Sequence, residues 1–144
     1  MASCALKNDE NGADNASKCI PCSSLDKSAL LNRSQVQGLI QESLPLWTVE
    51  ENSQTLYLSR KFVAKNLQSA PDILNQMGAI AEREGHHPDF LLTSYWEVEV
   101  NRWTHKLNDI TQNDVQLAQM LDKEVDVVYS PRWLKEHPEA AKLL

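Results

Sequence analysis

The strongest constraint on the fold is a change in the spacing of apolar side chains along the chain. Between residues 69 and 85 apolar side chains recur every three or four positions, which is the spacing of one face of a helix. Between residues 95 and 104 apolar and polar side chains alternate, which is typical of a strand with one buried and one solvated face. The chain therefore combines helices with strands, and both of these elements have an apolar side.

The helix in this region has clear signals at both ends. Pro71 and Asp72 suit a first helical turn, and Gly85 supplies a left-handed stop. The apolar stripe between them consists of Ile73, Leu74, Met77, Ile80 and Ala81. His86 and His87 therefore lie just beyond a helix C-terminus, where exposed carbonyl groups favour a protonated imidazole.

Local signals also predict an earlier helix near the start of the folded region. It begins at a cap of Asn32 or Ser34 and stops at Pro45. Gln35 or Gln37 is the reciprocal capping partner. Its apolar side chains are Val36, Leu39, Ile40 and Leu44.

A hairpin is predicted next, from strands over residues 47–49 and 55–62. The polar run Glu50-Glu51-Asn52-Ser53 lies between these strands, which is typical of a turn. Arg60 interrupts the apolar alternation of the second strand. We expect it near an edge of the sheet, where its stem lies along the sheet and its charged head reaches water.

A later helix is predicted from a cap at Thr111, with Asp114 at its third position. Its apolar stripe consists of Leu117, Ala118, Leu121 and Val125. The pattern Thr-x-x-Asp is close to a capping box, and a carboxylate there also interacts with the helix dipole, which is worth about 0.5 to 1 kcal/mol. A capping role and a catalytic role for Asp114 both remain open.

Composition limits the class of protein. A chain of 144 residues suits one domain with its own core, and 42% of its residues are hydrophobic. No apolar run approaches the length that crosses a bilayer, so a globular protein without a membrane segment is expected. The formal net charge of -6 and the absence of a basic stretch exclude direct binding of nucleic acid.

Residues 1–29 are predicted to form a disordered tail. They contain Cys4, Cys19 and Cys22, and they lack the pattern of a secretory signal or a transit peptide. This cysteine usage predicts a reducing compartment and a cytoplasmic location. The pair Cys19 and Cys22 has redox-motif spacing, but its flanks are polar and a zinc site would require a second ligand pair, so neither function is favoured.

Three of the four histidines, His86, His87 and His105, fall within twenty residues and are followed by Asp114. Imidazole titrates closest to neutral pH, so this cluster indicates acid–base chemistry. Pro88 holds the backbone of His87 extended, and the two adjacent imidazoles therefore point in different directions. That arrangement suits bracketing a flat ligand better than chelating one metal ion.

The residues around these histidines resemble the signature of the pterin-4a-carbinolamine dehydratases. The matching runs are Glu82–Asp89, Trp103–His105 and Thr111–Ala118. The resemblance covers about residues 30–125 and includes the order of the elements. It is specific, because the paired histidines, the third histidine and the aspartate occur together at compatible spacing.

The resemblance implies an α+β fold, in which an antiparallel four-stranded sheet carries helices packed on one face. The order is helix, strand, strand, helix, strand, strand, helix, and residues 90–92 supply the strand that periodicity alone does not reveal. The implied domain spans residues 30–126, and residues 127–144 form a C-terminal helical extension. Members of the family are homodimers or homotetramers.

The resemblance also implies an activity. The family dehydrates 4a-hydroxytetrahydropterin to quinonoid dihydropterin and water, which serves tetrahydropterin recycling. Imidazoles of opposite protonation state supply the proton donor and the base that this reaction needs, without a metal or cofactor. By resemblance the catalytic residues are His86, His87, His105 and Asp114. The matching substrate-binding residues are Glu82, Gly85, Phe90, Trp103, Thr104 and Lys106.

Two features depart from the family pattern. Asn108-Asp109 stands where the family often has two glycines, and it is predicted to keep a left-handed turn that positions His105. The segment from Ser130 onwards is predicted to add a capped helix beyond the usual end, with Trp133 packed on the core or on a partner subunit.

Two other functions remain open. One is a non-catalytic binding protein on the same fold, because some animal members of the family stabilise dimers of a transcription factor. The other is a small metal enzyme that uses three neutral histidines and Asp114 as ligands. Metal analysis of the purified protein separates the second alternative from an acid–base dehydratase.

Overall fold

The computed structural model describes residues 30–53, 55–104 and 109–143. The three cysteines, His105, Lys106 and Asn108 lie outside these ranges, and so does the predicted tail. Within them, no helix is long and apolar enough to cross a membrane. The elements are α1 (Arg33–Ser43), β1 (Thr48–Asn52), β2 (Thr55–Val63), α2 (Ser69–Glu84), β3 (Asp89–Thr93), β4 (Glu97–Arg102), α3 (Gln112–Glu124), α4 (Pro131–Glu136) and α5 (Pro138–Ala141).

The four strands form one antiparallel sheet in the order β1-β2-β4-β3. Strand β2 pairs with β4 so that Arg60 lies opposite Val100 and Phe62 lies opposite Val98. Strand β3 pairs with the other side of β4 and contains the predicted residues 90–92. The predicted α+β fold with a four-stranded antiparallel sheet is therefore confirmed.

One face of the sheet carries the core. Alternate residues of the two central strands are buried there, including Leu58, Phe62, Val98 and Val100. The intervening residues are mainly polar, for example Lys61, Glu97 and Glu99. The helices contribute Val36, Ile73, Met77, Leu117 and Leu121 to the same buried cluster. Burial of this apolar surface is the main force that holds the helices on the sheet.

Arg60 does not lie near an edge, so the prediction for this residue is wrong. Strand β2 is bordered by β1 and β4, and the Arg60 side chain is only 3% exposed. Its Nη1 lies 2.8 Å from Oδ1 of Asp122 on α3, and its Nη2 donates to the hydroxyl of Tyr129. The indole Nε1 of Trp47 donates to the same carboxylate oxygen at 2.9 Å. The buried charge of Arg60 is therefore balanced by residues that lie far from it in the sequence.

The ends of the helices follow the predicted local signals. Asn32 and Gln35 form a capping box, in which each side chain accepts from the other residue's backbone N–H at 2.8 and 2.9 Å. Helix α2 ends at Gly85, whose φ of 71° is the left-handed conformation that glycine adopts at little cost. These caps satisfy backbone groups that the helices leave without partners.

Loss of the first cap is expected to destabilise the protein modestly. Asn32→Ala removes the side-chain acceptor for the Gln35 N–H, and the expected loss is about 1 kcal/mol of unfolding free energy. Denaturant unfolding measures this loss, with Ser34→Ala at an exposed position of the same helix as the control. An equal loss in both variants would show that the cap contributes nothing.

The segment after α3 contains two short helices, α4 and α5. Trp133 is partly buried against the core, as is Leu134. The Trp133 ring stacks on Tyr129 at 4.9 Å and on His137 at 4.0 Å between ring centroids. The extension therefore packs on its own domain through a stack of aromatic rings that reaches Arg60 through Tyr129.

Candidate active site

A groove beside the end of α2 brings together three of the proposed site residues. His87, Glu82 and Phe90 line it, and its volume is about 440 Å³. The Nε2 atom of His87 lies 3.3 Å from Oε1 of Glu82, and the His87 side chain is about one-third exposed. The left-handed turn at Gly85 makes this possible, because it ends the helix and lets the next residue, His86, donate its N–H back to Ala81 at 3.1 Å.

His86 lies in a different environment from its neighbour. Its side chain is 1% exposed, whereas His87 opens onto the groove. Burial, followed by the nearby charges of Arg102 and His87, lowers the pKa of His86 from its ordinary value of 6.5 to about 4. The expectation of a protonated imidazole is therefore wrong for His86, because desolvation outweighs the field of the helix C-terminus.

Asp114 is fully buried at the start of α3. Its Oδ1 lies 2.8 Å from Nε of Arg102, and its Oδ2 accepts from the Thr111 N–H and the Thr104 hydroxyl, both at 2.8 Å. The predicted capping box of Thr111 and Asp114 is confirmed. Burial raises the pKa of the Asp114 carboxyl, while Arg102 and the hydrogen bonds from Thr111 and Thr104 oppose that rise.

Arg102 is a residue of this region that the sequence analysis missed. Its side chain is 3% exposed, and its Nη1 donates to the carbonyl oxygens of His87, at 3.5 Å, and of Trp103. A signal was present in the sequence, because Arg102 continues the buried register of Val98 and Val100 in β4. A charge in an apolar register indicates a buried partner, but the sequence does not say which one.

Trp103 lies on the opposite side of the sheet from the groove. It lines a separate cavity of about 280 Å³ with Tyr57, Asp89 and Asn101, among others. The rings of Tyr57 and Trp103 meet edge to face, with centroids 6.2 Å apart. Thr104, the next residue, is buried against Asp114. The structure therefore brings Glu82, His87 and Phe90 together and separates Trp103 from them.

The family of the chain follows from comparison with known proteins. Residues 29–124 match the family model described as pterin 4 alpha carbinolamine dehydratase. The chain belongs to this family. The match spans all four strands and the helices α1 to α3, and it ends before the C-terminal extension.

Similar proteins with curated names carry the same description. Two bacterial relatives are named "Putative pterin-4-alpha-carbinolamine dehydratase": that of Chlorobaculum tepidum is 41% identical over 107 residues, and that of Alkaliphilus metalliredigens is 35% identical over 107 residues. Each alignment covers 74% of this chain and, respectively, 93% and 91% of the relative. The mitochondrial pterin-4-alpha-carbinolamine dehydratase 2 of Arabidopsis thaliana is 34% identical, over 74% of this chain and 56% of its own length. Family membership and these relatives support a dehydratase that acts on pterins.

A solved structure shows the same fold. The crystal structure of a transcriptional coactivator/pterin dehydratase from Brucella melitensis superposes with a TM-score of 0.58 and 23% sequence identity. The similarity covers 67% of this chain and 99% of that chain. The sheet and its helices are therefore the architecture of the pterin carbinolamine dehydratases.

The turn that follows Thr104 falls partly outside the described residues. The chain reverses between Thr104 and Asp109, since the Thr104 N–H donates to the Asp109 carbonyl at 2.7 Å. The left-handed conformation of Asn108-Asp109 stays a prediction, because the φ angle of Asp109 depends on residue 108, which lies outside the described residues. The side chain of Asp109 accepts from the next backbone N–H, that of Ile110, at 2.9 Å. Asn108, His105 and Lys106 lie outside the described residues.

A metal site built from three or more histidine, cysteine, aspartate or glutamate side chains is not found in the part of the chain that the structure describes. His86, His87 and Asp114 fall in that part, whereas His105 and the cysteines do not. The described members of the proposed ligand set differ in surroundings, because Asp114 is paired with Arg102 and His87 with Glu82.

Proposed function

We propose that this protein dehydrates a 4a-hydroxytetrahydropterin to the quinonoid dihydropterin and water, by acid–base catalysis without a metal or cofactor. In this reaction the C4a–O bond breaks, the leaving hydroxide takes a proton, and N5 loses its proton as a C4a–N5 double bond forms. One proton donor and one proton acceptor are therefore required. Family membership and the placement of two dissimilar histidines side by side support the proposal.

The observation that carries the proposal is the contrast between His86 and His87. Two titratable groups of the same type that lie in different environments can hold opposite protonation states at one pH. His86 is buried and has a pKa of about 4, so it is neutral at pH 7 and suits the accepting side of the reaction. His87 opens onto the groove, beside the carboxylate of Glu82.

We assign the delivery of a proton to the leaving hydroxide to His87, because its imidazole reaches the groove. Glu82 holds that imidazole in place through the 3.3 Å contact at Nε2, and Phe90 offers an apolar surface to the flat pterin ring. His105 is the other candidate acceptor beside His86. Asp114 acts through Arg102 and Thr104. The family resemblance also implies Gly85, Trp103, Thr104 and Lys106 as substrate contacts. Gly85 and Lys106 stay proposed contacts, whereas Trp103 lines a separate cavity and Thr104 is buried against Asp114.

The direct test is the rate at which a chemically generated 4a-hydroxytetrahydropterin is lost with and without the protein. We expect the protein to accelerate this loss, and we expect the acceleration to persist when a chelator is present. No acceleration would contradict the dehydratase and favour a non-catalytic binding protein. Acceleration abolished by the chelator would instead favour the metal enzyme.

The proposal extends to the assembly and its location. We propose a homodimer or homotetramer in the cytoplasm that binds a small pterin and makes no direct contact with nucleic acid. The net charge of -6 supports the last point, because phosphate backbones repel an acidic protein. Light scattering at several protein concentrations measures the oligomeric state, and a monomer at all of them would contradict that part.

The neutral state of His86 predicts how stability depends on pH. The unfolded chain binds the proton at about pH 6.5 and the folded chain only near pH 4, so His86 contributes stability above pH 6.5. That contribution is lost as the pH falls from about 6.5 through about 4, and it amounts to about 3 kcal/mol. Urea unfolding at several pH values measures this loss.

The matched control is His86→Asn, which cannot take up the proton. Burial also raises the pKa of Asp114 and Asp122, and those carboxyls have the opposite dependence on pH below neutrality. They remain in the variant, so subtraction of the two curves isolates His86. Parallel curves for the parent and the variant between pH 6.5 and pH 4 would contradict a neutral, buried His86.

A further inference from the structure

We propose that Arg102 is a positioning residue for the dehydration, because it ties the histidine pair to the buried carboxylate of Asp114. The proposal rests on the proposed function and names a residue that acts through others. Arg102 does not line the groove that His87 and Glu82 share. Its effect on the reaction is therefore indirect.

The contacts of Arg102 join three separate parts of the chain. It is the last residue of β4, and its Nε pairs with Asp114 on α3 at 2.8 Å. Its Nη1 reaches the carbonyl of His87, in the connection between α2 and β3, and the carbonyl of Trp103. One guanidinium thus contacts the segment of the first two histidines, the carboxylate that caps α3 and the residue that follows β4.

The chemistry of arginine suits this role. A guanidinium presents several N–H donors in a rigid plane, so it can hold a carboxylate and two carbonyl groups in fixed relative positions. At 3% exposure its charge needs a buried counter-charge, and Asp114 at 0% exposure supplies one. The same carboxylate caps α3 through the Thr111 N–H, so the position of the helix is coupled to that of Arg102.

Arg102 also acts on the histidines through its charge. It is one of the groups that oppose protonation of His86, together with burial and the neighbouring His87. Charged groups on the elements packed here include Glu82 of α2, which pairs with His87, and Asp114 of α3, which pairs with Arg102 itself. Arg83 and Glu84, at the end of α2, pair with each other. Removal of the Arg102 charge should therefore ease protonation of His86.

A second buried arginine provides a matched control. Arg60 lies on the same face of the sheet, is also 3% exposed, and pairs with Asp122 on α3 at the same distance of 2.8 Å. Asp122 follows Asp114 by eight residues, which is about two helical turns. Arg60 does not line the groove of His87. A purely structural role predicts equal consequences for the two arginines.

The experiment compares Arg102→Met with Arg60→Met in the full chain. Both are expected to lower the unfolding temperature, because each leaves an aspartate that is at most 16% exposed without its cation. Per folded molecule, Arg102→Met should lower kcat at least about tenfold with KM changed less than about threefold, since the histidines are misplaced while the groove remains. Arg60→Met should keep both constants close to those of the parent.

An NMR titration of the imidazoles gives a readout that does not depend on turnover. Arg102→Met should raise the pKa of His86 by about one unit or more, and Arg60→Met should leave it unchanged. Arg102→Lys keeps the charge and should restore the titration of His86 together with part of kcat. If the methionine variants do not fold, Arg102→Lys and Arg60→Lys are compared for kcat, and a loss is expected only at Arg102.

The proposal would be overturned if the Arg102 and Arg60 variants had the same kcat and the same pKa of His86. A parent chain that does not accelerate loss of the carbinolamine would instead refute the proposed function and, with it, a role in that reaction. In that case the NMR titration still compares the two arginine variants, and it shows whether the charge of Arg102 changes the pKa of His86. The two failures are therefore distinguishable.

Discussion

His87→Ala is expected to lower the rate of dehydration by about a hundred- to ten-thousand-fold, which is the usual contribution of a general acid or base. His87 opens onto the groove, and in the proposed mechanism it protonates the leaving hydroxide there. Its side chain is about one-third exposed, so its removal should change the unfolding free energy little. Stopped-flow decay of the carbinolamine and denaturant unfolding measure the two quantities.

The matched control for this variant is His137→Ala. His137 is a partly buried histidine of the C-terminal extension, where it stacks on Trp133 at 4.0 Å and does not line the groove. It should leave the rate per folded molecule unchanged. His86→Ala and His105→Ala complete the series, and neighbouring imidazoles can partly replace one that is missing. Parent rates in all three variants of the histidine cluster would refute the assignment.

Asp114→Ala is expected to destabilise the protein by about 3 to 5 kcal/mol, because it leaves Arg102 as a buried charge without its partner. It also removes the acceptor for the Thr111 N–H and the Thr104 hydroxyl. Asp114→Asn should cost less, since an amide oxygen can still accept from the Thr111 N–H. Thermal and denaturant unfolding of both variants measure the difference.

Activity separates the two roles of Asp114 that the sequence left open. If Asp114 serves only as a cap and counter-charge for the fold, Asp114→Asn should keep the parent rate per folded molecule. If it also orients the site through Arg102, the same variant should lower the rate and shift the acid–base limb of the pH profile. We expect the second result, and an unchanged pH profile would contradict it.

Short-range signals in the sequence were sufficient for most of the secondary structure. The capping box of Asn32 and Gln35, the left-handed stop at Gly85 and the capping box of Thr111 and Asp114 all form as predicted. Such signals depend on residues three or four positions apart, so their partners can be read from the sequence. Strand β3 was different, because its residues do not alternate and only the family resemblance indicated it.

The candidate site shows where reading the sequence reached its limit. The residues of the site were named from the family signature, but their environments were not. His86 and His87 are adjacent in sequence, and yet one is 1% exposed and the other opens onto a groove. Trp103 was named with them and lies on the other side of the sheet. The exposure of a residue depends on which elements from elsewhere in the chain cover it. The spacing of residues along the sequence does not reveal those elements.

By itself the sequence determined the helices and their caps, the two central strands, and the family to which the chain belongs. Only the tertiary structure decided the charge states and the partners of the buried groups. Arg60 and Arg102 each stand in an apolar register, and each finds its aspartate on α3, 62 residues away for Arg60. The physical reason is that the free energy of a buried charge depends on the groups around it in space. Those groups come together only when the chain folds.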